Sequence, residues 1–144
     1  MIYTALTKKA MRIAFEAHKD QTDKNGMPYI YHPIHLAEQM SDEVATCVAL
    51  LHDVIEDTDM TFEQMEAAGF TPEIIAALRV MTHDENVPYM DYVAEIKKNA
   101  IATKVKLADL KHNSDLTRLD DVDENAMIRV EKYKQAMDLL TADP

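Results

Sequence analysis

The stretch VATCVALLHDVIEDT, residues 44–58, sets two opposed chemistries end to end. From Val44 to Leu51 nearly every helical face is apolar, the pattern of a helix at the centre of a bundle rather than of an amphipathic surface helix. His52, Asp53, Glu56 and Asp57 then fall close behind it. Charge leaves water at a high cost unless it is paired or bound to metal, so a cluster emerging from a core requires a partner from elsewhere in the chain. On helical geometry His52 stands one turn from Glu56 and Asp53 one turn from Asp57, so all four share one broad sector of the helix's C-terminal end. One acidic pair there would read as a solvated helix end; an adjacent His-Asp behind leucines weighs against that reading.

Working outward, helices and short joints account for the chain. Thr4 is placed to cap a first helix carrying Leu6, Ala10, Ile13, Ala14 and Ala17, which runs to about His18. QTDKNGMPYIYHP then breaks the period, and Pro33 opens a second helix with Ile34, Leu36, Ala37 and Met40. Ser41, followed by Asp42 and Glu43, starts the central helix. Thr61 with Gln64 forms a capping box and Gly69 a stop, Thr71-Pro72 opens a helix with Ile74, Ile75 and Leu78, and Pro88 opens one striped by Tyr89, Tyr92, Val93 and Ile96. Two more follow, over residues 101–113 and from Asp123 onward with Val130, Tyr133, Met137 and Leu140 inward. No strand pattern, repeat or linker interrupts them, so the expected fold is all-α.

Composition agrees with that class and narrows the partners. The 144 residues are 47% hydrophobic with ten methionines, no Trp and two glycines, which suits a single helical core able to bury about two-thirds of its unfolded surface. A formal charge of −11 argues against DNA, RNA or an anionic membrane as a partner, so an anionic substrate has to be held by local positive charge. Cys47 is the one cysteine and lies in the apolar run, while the N-terminus lacks the continuous apolar stretch of a signal peptide or membrane span. A cytoplasmic protein is the expectation.

Two other segments can complete a metal site with the opening cluster. In KVKLADLKHNSD, residues 104–115, Asp109 follows apolar residues and Asn113 lies one turn beyond it on the same face. In PYIYHPIH, His32 stands just before Pro33. Two imidazoles with two carboxylates suit a borderline divalent ion such as manganese, iron or zinc. His18, His35, His83 and His112 read as helix-end or hydrogen-bonding residues outside the metal shell.

Taken together, PYIYHP (28–33), LLHDVIEDT (50–58) and VKLADLKHN (105–113) resemble, in order and spacing, the His-Asp (HD) phosphohydrolase domain, specifically its RelA/SpoT-like branch of small alarmone hydrolases. The likeness covers nearly all of residues 1–144. It implies one compact HD-domain helical bundle holding one manganese ion through the residues matching His32, His52, Asp53 and Asp109. It also implies that Glu56 and Asp57 activate or orient the attacking water and that Asn113 contacts the nucleotide. Lys24 matches a family lysine, and Tyr133 resembles a nucleotide-contacting tyrosine of animal members. The implied reaction removes 3′-pyrophosphate from guanosine tetra- or pentaphosphate.

Departures from that pattern fall on substrate contacts. Where the family commonly has Arg-Lys-x-Gly, this chain has Asp23-Lys24-Asn25-Gly26; Leu110 replaces an arginine and Asp115 a basic residue. An aspartate cannot stack on a base and repels nearby phosphate, so arginine at position 23 is expected to strengthen substrate binding. Lys24, Lys104, Lys106, Lys111 and Arg118 remain as candidates for local cationic recognition. The alternative to an alarmone is another nucleotide or phosphorylated metabolite at the same centre. A non-catalytic metal-binding module is disfavoured because a structural site has no use for Glu56 and Asp57.

Overall fold

The computed structural model describes residues 1–143. Among these residues nine α-helices follow in order: α1 (Ala5–His18), α2 (Tyr31–Glu38), α3 (Glu43–Leu51), α4 (Val54–Asp57), α5 (Phe62–Ala67), α6 (Pro72–Met81), α7 (Tyr89–Lys97), α8 (Ala100–Asn113) and α9 (Glu124–Thr141), with a 3-10 turn at Leu116–Arg118. Among the described residues there is no strand, and a lone antiparallel bridge joins Thr22 to Pro28. No described helix is long and apolar enough to cross a membrane.

Helix starts follow local chemistry. Thr4, Thr61, Thr71 and Asp123 each accept a hydrogen bond from the amide three residues on, which satisfies one of the orphan donors of a helix N-terminus. Thr61 and Gln64 close a reciprocal box, and Gly69 ends that segment at φ +102°, a conformation that costs a side chain dearly.

Three helix boundaries differ from the sequence expectation. The cap of α3 is Asp42, not Ser41, because its carboxylate accepts from the Ala45 amide at 2.8 Å. Helix α2 begins at Tyr31, which makes Pro33 its third residue rather than its first and leaves Met40 beyond its end, still buried. Most consequentially, the central helix does not run on to Asp57: it stops at Leu51, His52 and Asp53 form a turn, and α4 restarts at Val54.

The core is arranged around α3. Every residue from Ala45 to Leu51 is buried, and α1, α2, α6 and α8 pack against this helix. Leu36, Leu50, Ile74, Leu78, Val93 and Leu110 fill the spaces between them. A helix enclosed on several sides can deliver a polar end only to the interior of the bundle, and the end of α3 is His52.

A buried histidine–aspartate centre and its mouth

His52 is 4% exposed and its orientation is fixed by its own helix: Nδ1–H donates to the Ala49 carbonyl at 2.6 Å. The other ring nitrogen, Nε2, faces carboxylates. Asp53 Oδ2 lies 3.0 Å away and Asp109 Oδ1 3.7 Å away, yet neither makes a hydrogen bond to Nε2, which is buried without a partner. Helix α2 brings His32 Nε2 to 2.9 Å from the same Asp109 oxygen. One ligating atom each from His32, His52 and Asp109 lie within 4.8 Å of one another. Asp53 adjoins this trio through His52.

Such a cluster requires positive charge. Burial pulls the His52 imidazole down, but the Asp53 and Asp109 carboxylates outweigh it and hold the ring's pKa well above its ordinary value. Burial alone would raise Asp109; Lys106, His32 and His52 hold it well below the usual carboxylate range instead. A divalent ion meets the same demand with better geometry than a proton, because lone pairs and carboxylate oxygens converge on one small volume. The orphaned His52 Nε2 is the observation that fits a metal, and His32, His52 and Asp109 form the set that could bind one.

Neighbouring groups hold these side chains in place. Lys106 Nζ pairs with Asp109 Oδ2 at 3.0 Å, one turn back on α8, and its ammonium lies over the Tyr92 ring. Burial opposes the charge on Lys106, but Asp109 and Tyr92 raise its pKa, so it remains a cation at the floor of the site. Asn113 Nδ2 donates to Asp109 Oδ1 at 3.0 Å. The Tyr29 hydroxyl donates to Asp53. Behind His32, the Nδ1 atoms of His32 and His112 are 2.7 Å apart. Burial and Arg118 lower the His112 pKa to about 4, so a neutral His112 ring could accept the His32 Nδ1–H if an ion took the place of the Nε2 proton that faces Asp109.

Glu56 and Asp57 lie on α4 at the rim. Both are open to solvent, yet the protein packed around each carboxylate desolvates it enough to raise its pKa. In Glu56 the His83 amide, which donates to Oε1 at 2.6 Å, opposes that rise. The break after Leu51 gives Glu56 and Asp57 a helix of their own, so the single sector expected on a continuous helix is replaced by two short pieces meeting at the site.

The remaining expected residues line a cavity of about 350 Å³ that opens beside His32: Lys24 from the loop before α2, Asn113 from α8 and Tyr133 from α9. Tyr133 is half-buried there, and Lys24 and Asn113 are exposed. Other lysines go elsewhere: Lys104 reaches Ser41 Oγ at 3.3 Å on the surface, and Lys111 is exposed. Of the remaining histidines, His18 is fully buried with Nδ1 2.8 Å from Gln21 Oε1, His35 stacks on His112, and His83 stacks on Tyr92. Sequence reasoning placed His112 among hydrogen-bonding residues outside the metal shell but missed its pairing with His32, and it missed Tyr29. Tyr29 had a signal in its place three residues before His32, in the same segment; a pairing across 80 residues has none.

Asp23 has two duties that its charge alone does not reveal. One oxygen accepts from the amides of Asn25 and Met27, at 2.8 and 3.0 Å, folding the loop through Gly26 at φ +80°. The other faces Arg118 across the cavity mouth at 3.7 Å.

No family model matches the chain. Individual relatives do. The guanosine-3′,5′-bis(diphosphate) 3′-pyrophosphohydrolase MESH1 of Danio rerio is 33% identical over 144 residues, covering 90% of this chain and 79% of the relative. Its Xenopus tropicalis counterpart is 35% identical over 122 residues, 76% of this chain and 68% of the relative. The guanosine-3′,5′-bis(diphosphate) 3′-pyrophosphohydrolase of Aquifex aeolicus is 33% identical over 89% of this chain, which spans 19% of that longer protein. A solved structure described as a metazoan ortholog of SpoT that hydrolyzes ppGpp superposes with a TM-score of 0.76 at 26% identity, over 99% of this chain and 89% of that one. Related in sequence and in fold to these proteins over most of its length, the chain belongs to the MESH1 family of guanosine-3′,5′-bis(diphosphate) 3′-pyrophosphohydrolases.

Proposed function

We propose that this protein is a metal-dependent phosphohydrolase that removes pyrophosphate from the 3′ position of guanosine-3′,5′-bis(diphosphate). Residues 1–144 act as one HD-type domain in the cytoplasm, on a small nucleotide rather than on DNA or RNA. The observation that carries the reading is the buried trio His32, His52 and Asp109, with His52 Nε2 aimed at carboxylates and making no hydrogen bond. The names of the relatives supply the substrate.

In this reading His32, His52, Asp53 and Asp109 hold one divalent ion, Mn²⁺ being the choice that mixed imidazole and carboxylate donors suit. When bound, the ion lowers the pKa of a water towards neutrality and offsets phosphate charge. Glu56 takes the proton of the attacking water, a role its position at the rim and its raised pKa suit. Asp57, beside it, orients the same water. Tyr29 holds Asp53, while Lys106 and Asn113 hold Asp109 in position. Lys24, Asn113 and Tyr133 contact the nucleotide from the walls of the cavity beside His32.

The test is a panel of nucleotides and phosphorylated metabolites incubated with the protein in Mn²⁺, with orthophosphate and pyrophosphate both measured. Release of pyrophosphate from guanosine-3′,5′-bis(diphosphate), with GDP formed in equal amount, is expected. Orthophosphate release, or preference for a non-guanine compound, would replace the substrate while keeping the centre.

A further inference from the structure

Arg118 ends the 3-10 turn that follows α8 and lies between two cavities, of about 390 and 350 Å³, lining both. Its Nη1 donates to the His112 carbonyl at 2.8 Å, which aims the guanidinium. Nη2 stands 3.7 Å from Asp23 Oδ2, an ion pair longer than a hydrogen bond. A guanidinium has five N–H donors. Among the described residues, His112 is the one hydrogen-bonded partner it has, so most of the fork remains available. The side chain is 27% exposed, enough to be reached and too little to be a freely solvated surface charge.

The surroundings make that cation valuable. The cavity beside His32 also carries Asp23 and Asp115, and the chain as a whole is at −11. A phosphate entering there needs a nearby donor that outweighs the general repulsion. Lys24 offers a point charge and Arg129 a guanidinium that, among the described residues, no backbone carbonyl holds, whereas Arg118 offers a planar fork already oriented by a backbone carbonyl, the arrangement suited to bidentate phosphate binding. Asp23 is committed to its loop through Oδ1 and presents only Oδ2 to the arginine.

We propose that Arg118 is a phosphate-recognition residue of the mouth, with Asp23 as the resident counter-ion that holds the guanidinium in place and yields it to a substrate phosphate. The proposal rests on the phosphohydrolase reading of the site. It also reverses the expectation for position 23: arginine there would remove the loop's acceptor and set two guanidinium groups against each other. The informative change is Asp23→Asn, which keeps an oxygen acceptor for Asn25 and Met27 while removing the charge.

The experiment measures binding of inorganic pyrophosphate, GDP and guanosine to the full chain by calorimetry, alongside KM and kcat on guanosine-3′,5′-bis(diphosphate). Arg118→Met is expected to weaken pyrophosphate and GDP binding about 10- to 100-fold, the range for a lost charge-assisted hydrogen bond, and to leave guanosine binding unchanged. KM should rise far more than kcat falls, Arg118→Lys should recover part of the loss, and Asp23→Asn should tighten pyrophosphate binding a few-fold. Because Asp23→Asn acts in the opposite direction, it decides the matter even if Arg118→Met fails to fold. No pyrophosphate binding by the unmodified chain, unchanged binding in a folded Arg118→Met protein, or weaker binding in Asp23→Asn would each overturn the proposal. So would equal losses for GDP and guanosine, which would make Arg118 a base contact. If the unmodified chain hydrolyses nothing in the panel while Arg118→Met still weakens pyrophosphate binding, the hydrolase reading fails and the role of Arg118 stands.

Discussion

At its buried end the site is held by helices: His52 follows α3, buried from Ala45 to Leu51, Asp109 lies within α8 and His32 in the first turn of α2. At its open end it is held by two loops, 19–30 and 114–123, joined through the pair Asp23–Arg118 and through the Asp120 amide, which donates to Asn25 Oδ1 at 3.1 Å. Helix-borne groups have their backbone hydrogen bonds satisfied internally and their stems packed in the core, so their relative positions are set by the fold itself. Loop-borne groups depend on a few exposed polar ties, each worth little by itself. The difference suggests a division of labour in which the floor sets the chemistry and the mouth sets what is admitted to it.

The largest effect should come from the floor. Asp109→Ala removes the carboxylate that both His32 Nε2 and His52 Nε2 face and leaves the half-buried Lys106 without its partner. Loss of a directly coordinating group should abolish Mn²⁺ retention after gel filtration, measured by elemental analysis, and with it turnover. A folded Asp109→Ala protein that kept its metal would remove the floor's claim to the chemistry. Glu56→Gln separates metal from catalysis: the metal should remain while kcat falls about 100-fold or more, as for a positioned general base. The pH profile sharpens this. A base works deprotonated, so the rate should fall as pH drops through the Glu56 pKa, which lies above the ordinary glutamate value because the site desolvates the carboxylate. That acid limb should be lost in the Gln variant.

The same contrast governs what can be read from sequence. Caps at Thr4, Thr61, Thr71 and Asp123 are local, each decided by a side chain and an amide three residues away, and all four are legible. The apolar run of α3 is legible because burial on every side leaves no polar face. The stop at Leu51 is not, since residues 52–57 are compatible with helix, and the turn residues His52 and Asp53 meet Asp109 of α8 and Tyr29 of the loop before α2, both far off in sequence. The ties of the mouth are least legible. Asn25 and Asp120 are 95 residues apart, and neither residue type points to the other. Charge at position 23 reads as repulsion until its partner Arg118 is seen beside it.

His112 joins the two regions. Its ring meets His32 at 2.7 Å and its carbonyl accepts from Arg118. His112→Phe keeps a ring to stack on His35 and His32 and keeps the carbonyl, so the mouth should stay formed; only the Nδ1 contact to His32 is lost. Metal affinity should drop about 10-fold, the lower end for loss of a residue supporting a ligand, measured by competition with a chelator. A KM effect without a metal effect would place His112 with the mouth and blur the boundary drawn here.

The smallest effect, and the most direct test of the division, lies at Asn25. Its Oδ1 accepts from the Asp120 amide, both residues belong to loops, and neither touches the histidine–aspartate trio. Asn25→Ala removes that tie while leaving in place the Asn25 amide that donates to Asp23 Oδ1. An exposed neutral hydrogen bond contributes roughly 0.5–1.5 kcal/mol, so the loops should hold their relative position less well and KM should rise about 2- to 10-fold. Since the floor is packed in the core, kcat and Mn²⁺ retention should not change. If kcat or metal retention fell along with KM, the mouth would be transmitting strain to the floor, and the two regions would have to be treated as one cooperative unit. A KM rise alone keeps them separable, with α2 and α8 rigid enough to keep His32 and Asp109 in register while the loops that follow and precede them adjust.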